Sequence, residues 1–323
     1  MSQEIDELKT KIHVLNSSLW ESRNKWPRVE AWLANFSGQV AGVDEERLHA
    51  LYILSQFVYF GSREMRELLR ALYRDLVACP LLQAIRKSMG GARDLNRIEE
   101  EFEKELKATR FFGVGNPSES GTHLLYFFRQ ENGLRKSLFW ETHKIFSRTQ
   151  RADGTFSDTL RDDSIKRYVF IDDLCGSGSQ ARDYSKDLVE NLLSLNPRAE
   201  VCYYALFATQ KGLEFVRRHT RFTRAEAVYE LDSSYRIFED NSRFLADLPA
   251  YLKKDLFRKM AEHYGELLYP RNALGFSDGQ LLMGFHHNTP DNTLPIVWSS
   301  GEGSTSWTPI FRRYPKIYDF SSI

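Results

Sequence analysis

The stretch Arg167-Tyr168-Val169-Phe170-Ile171-Asp172-Asp173-Leu174-Cys175-Gly176-Ser177-Gly178-Ser179-Gln180 admits few architectures. Tyr168 to Ile171 have strand character and run straight into two adjacent carboxylates. A loop of small residues follows, and then a polar helical segment from Ala181 to Leu195. Strand, short loop and helix in that order is the layout in which open parallel sheets bind ligands, at the carboxyl ends of their strands. The Gly/Ser loop offers backbone N–H groups and hydroxyls, and the helix start adds a positive dipole end, so together they favour a phosphate. Asp172 and Asp173 stand a sugar's length away, where they can accept hydrogen bonds from ribose hydroxyls. The segment predicts a ribose-phosphate cradle.

Other readings of the same residues are weaker. An apolar run ending in Asp-Asp also describes the Walker B strand of a P-loop ATPase, but G-x-x-x-x-G-K-[ST] does not occur in the sequence. An aspartyl-nucleophile phosphatase needs D-x-D, which Asp172-Asp173-Leu174 does not supply. Strand-end punctuation, with the acids capping the next helix, stays open.

Around this stretch strands and helices alternate, which predicts an α/β fold with a parallel sheet. Phe111 to Gly115 reads as a strand, Asn116 to Gly121 as a loop and Leu124 to Gln130 as a helix. Downstream the pattern predicts a helix over 183–195, a strand over 201–209, a helix over 211–219 and a strand over 225–231. The polar stretch from Phe146 to Lys166, with Arg148, Arg151 and Gly154, reads as a loop able to cover a reacting centre or as a solvated connector. The loop containing Asn116, Ser118, Ser120 and Gly121 is small enough for its amides to approach a diphosphate, or it is an ordinary βα turn. Glu119 beside it would repel a diphosphate unless it met a metal ion or pointed away.

Residues 1 to about 105 read as a helical domain. Ile5, Leu8, Ile12, Leu15 and Leu19 recur at helical spacing, and so do Trp26, Val29, Trp32 and Leu33. Asp44 can cap a helix reaching Phe60, a further helix ends before Cys79-Pro80, and a charged one runs from about Asp94 to Ala108. These apolar stripes form an intradomain core or dock a partner. The second domain would span 106–323, with its last part, from about 235, forming a hood. There Gln280 to His287 looks like a strand, 288–295 like an Asn-rich turn, and Ile296-Val297-Trp298 resumes extended structure. Phe285, His286, Asn288 and Trp298 combine stacking with hydrogen bonding and suit recognition of a base, with a structural edge hairpin as the alternative. His286 and His287 would point to opposite faces of a strand, which disfavours a shared metal, and no direct metal ligand is expected.

The 44 basic and 44 acidic residues cancel, so charge makes no general case for nucleic acid or membrane binding. Cys79, Cys175 and Cys202 form neither a zinc pattern nor a disulfide framework, which fits a reducing compartment. Cys175 reads as a small core residue. The polar, acidic opening from Met1 to Glu7 argues against a signal or transit peptide, and no apolar run approaches membrane-spanning length. The expectation is a soluble, cytoplasmic protein without a membrane partner.

The apolar run, Asp-Asp and small loop resemble the signature of type I phosphoribosyltransferases. Serines stand where threonines are frequent, and Gln180 closes the loop where a Thr is often found. The resemblance implies that Gly176, Ser177, Gly178, Ser179 and Gln180 hold the 5-phosphate of phosphoribosyl pyrophosphate (PRPP). It places the ribose 2- and 3-hydroxyls on Asp172 and Asp173. It puts the pyrophosphate, with its Mg²⁺, on the loop of Asn116, Ser118, Ser120 and Gly121, and a mobile covering loop at 146–166. With the late string His287-Asn288-Thr289-Pro290-Asp291-Asn292-Thr293-Leu294-Pro295-Ile296-Val297-Trp298, residues from about 110 to 315 look like the phosphoribosyltransferase-like proteins of bacterial conflict systems. Some of these are encoded beside retron reverse transcriptases as effectors. The resemblance implies transfer or cleavage at ribose C1 of PRPP or a nucleotide. It also implies docking of a protein partner or a reverse transcriptase–nucleic acid complex through the helical domain, and it is compatible with a homo-oligomer. An inactive sensing module and a nucleotide glycohydrolase toxin stay open beside it.

Overall fold

The computed structural model describes residues 2–91, 93–115, 120–150, 153–301 and 305–314, with the backbone alone at 2 and 120–123. Helices α1 (Ser2–Ser18), α2 (Trp26–Leu33) and α3 (Val43–Ser55) precede a short strand, β1 (Val58–Phe60). Helix α4 (Ser62–Ala71) continues through a π-helical segment, Leu72–Ala78, into α5 (Cys79–Ser88), and α6 (Leu95–Lys107) follows. Next come β2 (Thr109–Gly113), α7 (Ser120–Glu131), β3 (Phe146–Gln150) and β4 (Phe156–Leu160). Then β5 (Arg167–Cys175), α8 (Ser179–Leu195), β6 (Glu200–Thr209), α9 (Gln210–His219) and β7 (Arg224–Leu231) complete the alternating region. The last stretch carries α10 (Lys254–Leu268), β8 (Met283–Phe285) and a single turn, α11 (Pro295–Trp298).

These elements gather into two compact units, Arg66–Leu231 and Met1–Met65 with Asp232–Ile323. In the first, four parallel strands lie in the order β2-β5-β6-β7. The inner strands β5 and β6 are near-continuous apolar runs, as strands covered on both faces must be. Successive residues of β2 turn opposite ways. Phe111 meets Phe128 of α7, and Phe112 stacks on Phe170, which in turn meets Tyr184 of α8. Helices therefore cover both faces, and the expected α/β parallel-sheet fold is present.

The second unit is built from both ends of the chain. Strand β1 pairs in parallel with β8, and Trp32 Nε1 donates to the Ile296 carbonyl at 2.7 Å. Its core runs from Leu8 and Trp20 through Phe257 and Tyr264 to Phe311. This division differs from a boundary near residue 105: residues 66–105 belong with the sheet, and the carboxyl-terminal region belongs with the amino-terminal helices.

Four local expectations are corrected. The helix predicted from Asp44 to Phe60 ends at Ser55, because 58–60 are taken into the pairing with β8. Pro80 does not stop the preceding helix: Ala78 and Cys79 keep right-handed helical backbone, and the chain passes into α5 directly from the wider π-helical turns of Leu72–Ala78. Residues 146–160 are an antiparallel hairpin rather than a loop, with Arg148 opposite Asp158 and its guanidinium 4.8 Å from the Phe156 ring. Pro295 starts a helical turn, so 296–298 are not extended. Among the described residues no helix is long and apolar enough to cross a membrane.

Candidate functional site

Strand β5 brings its acids to the carboxyl end of the sheet. Asp172 pairs in register with Ala205 of β6, which sets it on the same face as Tyr203, two residues back. Asp172 is 5 % exposed, and both its oxygens have protein donors. The Tyr203 hydroxyl donates to Oδ2 at 2.8 Å, and the Asp173 N–H donates to Oδ1 at 3.0 Å. Asp173 is half-buried, and its Oδ1 accepts the Leu174 N–H at 2.8 Å. Burial first, and the adjacent Asp173 charge second, push the Asp172 carboxyl well above its ordinary range, while the Tyr203 and Asp173 donors pull the other way. The Cys175 thiol is buried and pushed up to about 12, so it is no thiolate nucleophile.

The loop after the acids is shaped by two close approaches. Gly178 has φ +79°, and a Cβ there would lie 2.7 Å from the Gly212 carbonyl oxygen. Gly212, in the first turn of α9, comes so near that its own Cβ would sit 2.2 Å from the Gly176 oxygen. Thr209 ties the two segments: its hydroxyl donates to the Gly176 carbonyl at 2.5 Å and accepts the Gly212 N–H at 2.9 Å. Ser177 and Ser179 share a hydroxyl–hydroxyl bond of 2.7 Å, and no side chain caps the start of α8. Gln180 is exposed in the first turn of α8.

The second loop leaves the same end of the sheet. Gly113, the last residue of β2, is level with Ile171, and its carbonyl accepts the Tyr184 hydroxyl at 3.2 Å. Asn116, Ser118 and Glu119 lie outside the described residues. Ser120 and Gly121 open α7. Arg151 also lies outside the described residues.

The structure thus brings Asp172, Asp173 and Gly176 to Gln180 together in one unit. Phe285, His286, Asn288 and Trp298 are gathered in the other. Phe285 is buried and stacks on His287 at 5.5 Å, and the His286 N–H donates to the Phe60 carbonyl. Asn288 Oδ1 accepts the Thr289 and Tyr314 N–H groups, and Trp298 Nε1 donates to the Thr293 carbonyl at 2.7 Å. Asn292 and Thr293 likewise bond backbone carbonyls, at Phe276 and Met283. The Asn-rich string therefore satisfies its own turn.

Sequence reasoning missed Tyr203, Thr209 and Gly212. Thr209 had a local signal, a Thr between a strand and a helix with Gly three residues on. Tyr203 had none, because its meaning depends on the β5–β6 register.

An acid pair and a glycine-turned small loop at the end of an inner parallel strand define a phosphoribosyltransferase-like protein. The chain belongs to the PRTase-CE family, whose sequence profile matches residues 29–313. No curated protein matches the chain in sequence. Among solved structures it is similar to the xanthine-guanine-hypoxanthine phosphoribosyltransferase of Helicobacter pylori, at 9 % identity and TM-score 0.26 over 54 % of this chain and 89 % of that one. It is also similar to the AQ2163 protein from Aquifex aeolicus, at 10 % identity and TM-score 0.29 over 64 % and 86 %. A third is the Trypanosoma brucei adenine phosphoribosyl transferase in complex with AMP, pyrophosphate and ribose-5-phosphate, at 14 % identity and TM-score 0.24 over 41 % and 65 %.

Proposed function

We infer that the chain binds PRPP or a nucleotide at the carboxyl end of β5 and transfers or cleaves at ribose C1. The observation that carries this reading is the placement of Asp172 and Asp173 at that strand end, directly before the loop braced by Gly178, Thr209 and Gly212. The loop amides and the Ser177 and Ser179 hydroxyls suit the 5-phosphate, and the half-buried Asp173 is the acid better placed to take ribose hydroxyls.

In the transfer, the C1–O bond to pyrophosphate breaks and its electron pair leaves with the pyrophosphate. The acceptor's lone pair forms the new bond to C1, and the acceptor gives up its proton. Charge at the ring is positive as the bond breaks, so a carboxylate beside the sugar stabilises it. Mg²⁺ binds through one or two carboxylates and substrate phosphates rather than an all-protein cage. Among the described residues no cluster of three or more His, Cys, Asp or Glu side chains could hold a metal. The Mg²⁺ would arrive with the pyrophosphate and would neutralise the leaving charge.

The sequence resemblance supports a role as an effector in bacterial antiviral defence, of the retron-associated kind, working in the cytoplasm. In that role the amino-terminal helices would engage a protein or a reverse transcriptase–nucleic acid complex. A second reading, a sensing module without turnover, is favoured by one observation: both oxygens of Asp172 are already held by protein donors. Phosphorus NMR of the full chain with PRPP, Mg²⁺ and candidate bases separates the two. Pyrophosphate release that disappears in Asp172→Asn/Asp173→Asn supports transfer, whereas tight binding without release supports sensing.

A further inference from the structure

We propose that Tyr203 is the positioning residue of the acid pair, anchoring Asp172 from β6 and through it setting the carboxylate of Asp173. This role rests on the phosphosugar reading above. Three hydrogen bonds run in series. Tyr203 O–H donates to Asp172 Oδ2 at 2.8 Å, Asp173 N–H donates to Asp172 Oδ1 at 3.0 Å, and Leu174 N–H donates to Asp173 Oδ1 at 2.8 Å. Asp172 is thus the inner link, and Asp173 is the outer one, partly open to solvent.

Tyr203 is fully buried, with Phe222 at 5.4 Å and apolar neighbours along β6. Its ring could pack there without a hydroxyl, so the hydroxyl's work is the bond to Asp172. The titratable groups facing Asp172 are Asp173 on its own strand and Tyr203 on β6, and the Cys175 thiol lies against the Tyr203 hydroxyl. A proton on Asp172 Oδ2 would turn the Tyr203 hydroxyl from donor to acceptor, and one on Oδ1 would face the Asp173 N–H, which can only donate, so the protonated pair is held differently from the ionised one. Tyr203 therefore sets the pH at which the acid pair is ready for a sugar.

Tyr203→Phe keeps the ring and removes the donor. Aspartate ¹³Cγ NMR on the full chain follows the Asp172 titration, and PRPP affinity with Mg²⁺ is measured over the same pH range. The Asp172 midpoint and the acid limb of the affinity should both move up by about one pH unit, with binding about tenfold weaker on that limb and unchanged well above it. In an Asp172→Asn background the same substitution should shift nothing further. Replacing Tyr203 with 3-fluorotyrosine, a stronger donor that preserves the packing, should move both midpoints down. Midpoints that stay fixed in both variants, with any loss of affinity equal at every pH, would overturn the positioning role. Wild-type protein that binds no PRPP at any pH would instead overturn the phosphosugar reading and this role with it.

Discussion

The Thr209 hydroxyl donates to the Gly176 carbonyl across 2.5 Å. The same oxygen accepts the Gly212 N–H, so one side chain both starts α9 and braces the phosphate loop from the neighbouring strand. Thr209→Val keeps the shape and removes both bonds. An N-cap contributes about 1 kcal/mol and a further hydrogen bond about as much. Urea unfolding should show a loss of about 2 kcal/mol, and calorimetry should show weaker PRPP binding. A variant equal to wild type in both would remove the brace from the account.

Gly212→Ala tests the close approach itself. The added Cβ would lie 2.2 Å from the Gly176 oxygen, so backbone must move. Overpacking of this kind costs about 1–3 kcal/mol, at the upper end where the obstacle is main chain. Gly154→Ala is the control: φ is +83° but nothing lies within 4 Å, leaving only the left-handed strain of about 1 kcal/mol. Urea midpoints should rank wild type above Gly154→Ala, and that above Gly212→Ala. The reverse order of the two variants contradicts the packing argument.

Asp172 should make stability fall as pH rises. Its folded-state pKa lies above the ordinary value of 3.8, so the folded chain holds a proton that the unfolded chain has released. The stability from this group is complete below 3.8 and is lost as pH rises through the folded value. Asp172→Asn cannot ionise. Wild-type minus variant stability, from thermal unfolding, should therefore decrease as pH rises from 3.8 toward the folded value. A difference that is flat or rises with pH would contradict the buried, charge-coupled environment.

His49 should act in the opposite direction. Its Nε2 accepts the Lys253 N–H at 3.0 Å, which leaves Nδ1 to donate to the Glu45 carbonyl at 2.7 Å and fixes the neutral ring. The Glu45 and Lys253 side chains face it electrostatically, and Phe257 packs at 4.6 Å. Burial lowers its pKa below 6.5. The stability it gives is present above 6.5 and is lost as pH falls below that value toward the folded one. His49→Gln should remove this acid-side loss in thermal unfolding, about 1.4 kcal/mol for each pKa unit of depression. An unchanged slope would mean that His49 is not held neutral.

The acid pair and its loop were legible because one contiguous segment carries strand, acids and glycine turn, and local physics decides each of them. The alternation around 111–231 was legible for the same reason. What surrounds them was not. Tyr203 acquires its role only when β6 is placed in register with β5, and Gly212 only when α9 packs under the loop. The three residues of β1 are too short to interrupt a helical pattern by themselves and become a strand only through β8, which is more than two hundred residues away. The same distance hid the union of the two chain ends, where Trp32 and Trp307 both donate to the Ile296 carbonyl. Asn288 looked available for a base, but in the fold its Oδ1 accepts the Thr289 and Tyr314 N–H groups.

The central claim is a phosphosugar site at the end of β5. Titration calorimetry of PRPP with Mg²⁺ against the full chain and its Asp172→Asn/Asp173→Asn variant tests it most directly. Saturable binding by the wild type that is lost in a folded double variant is the result predicted. Equal binding by both, or binding by neither, would contradict it.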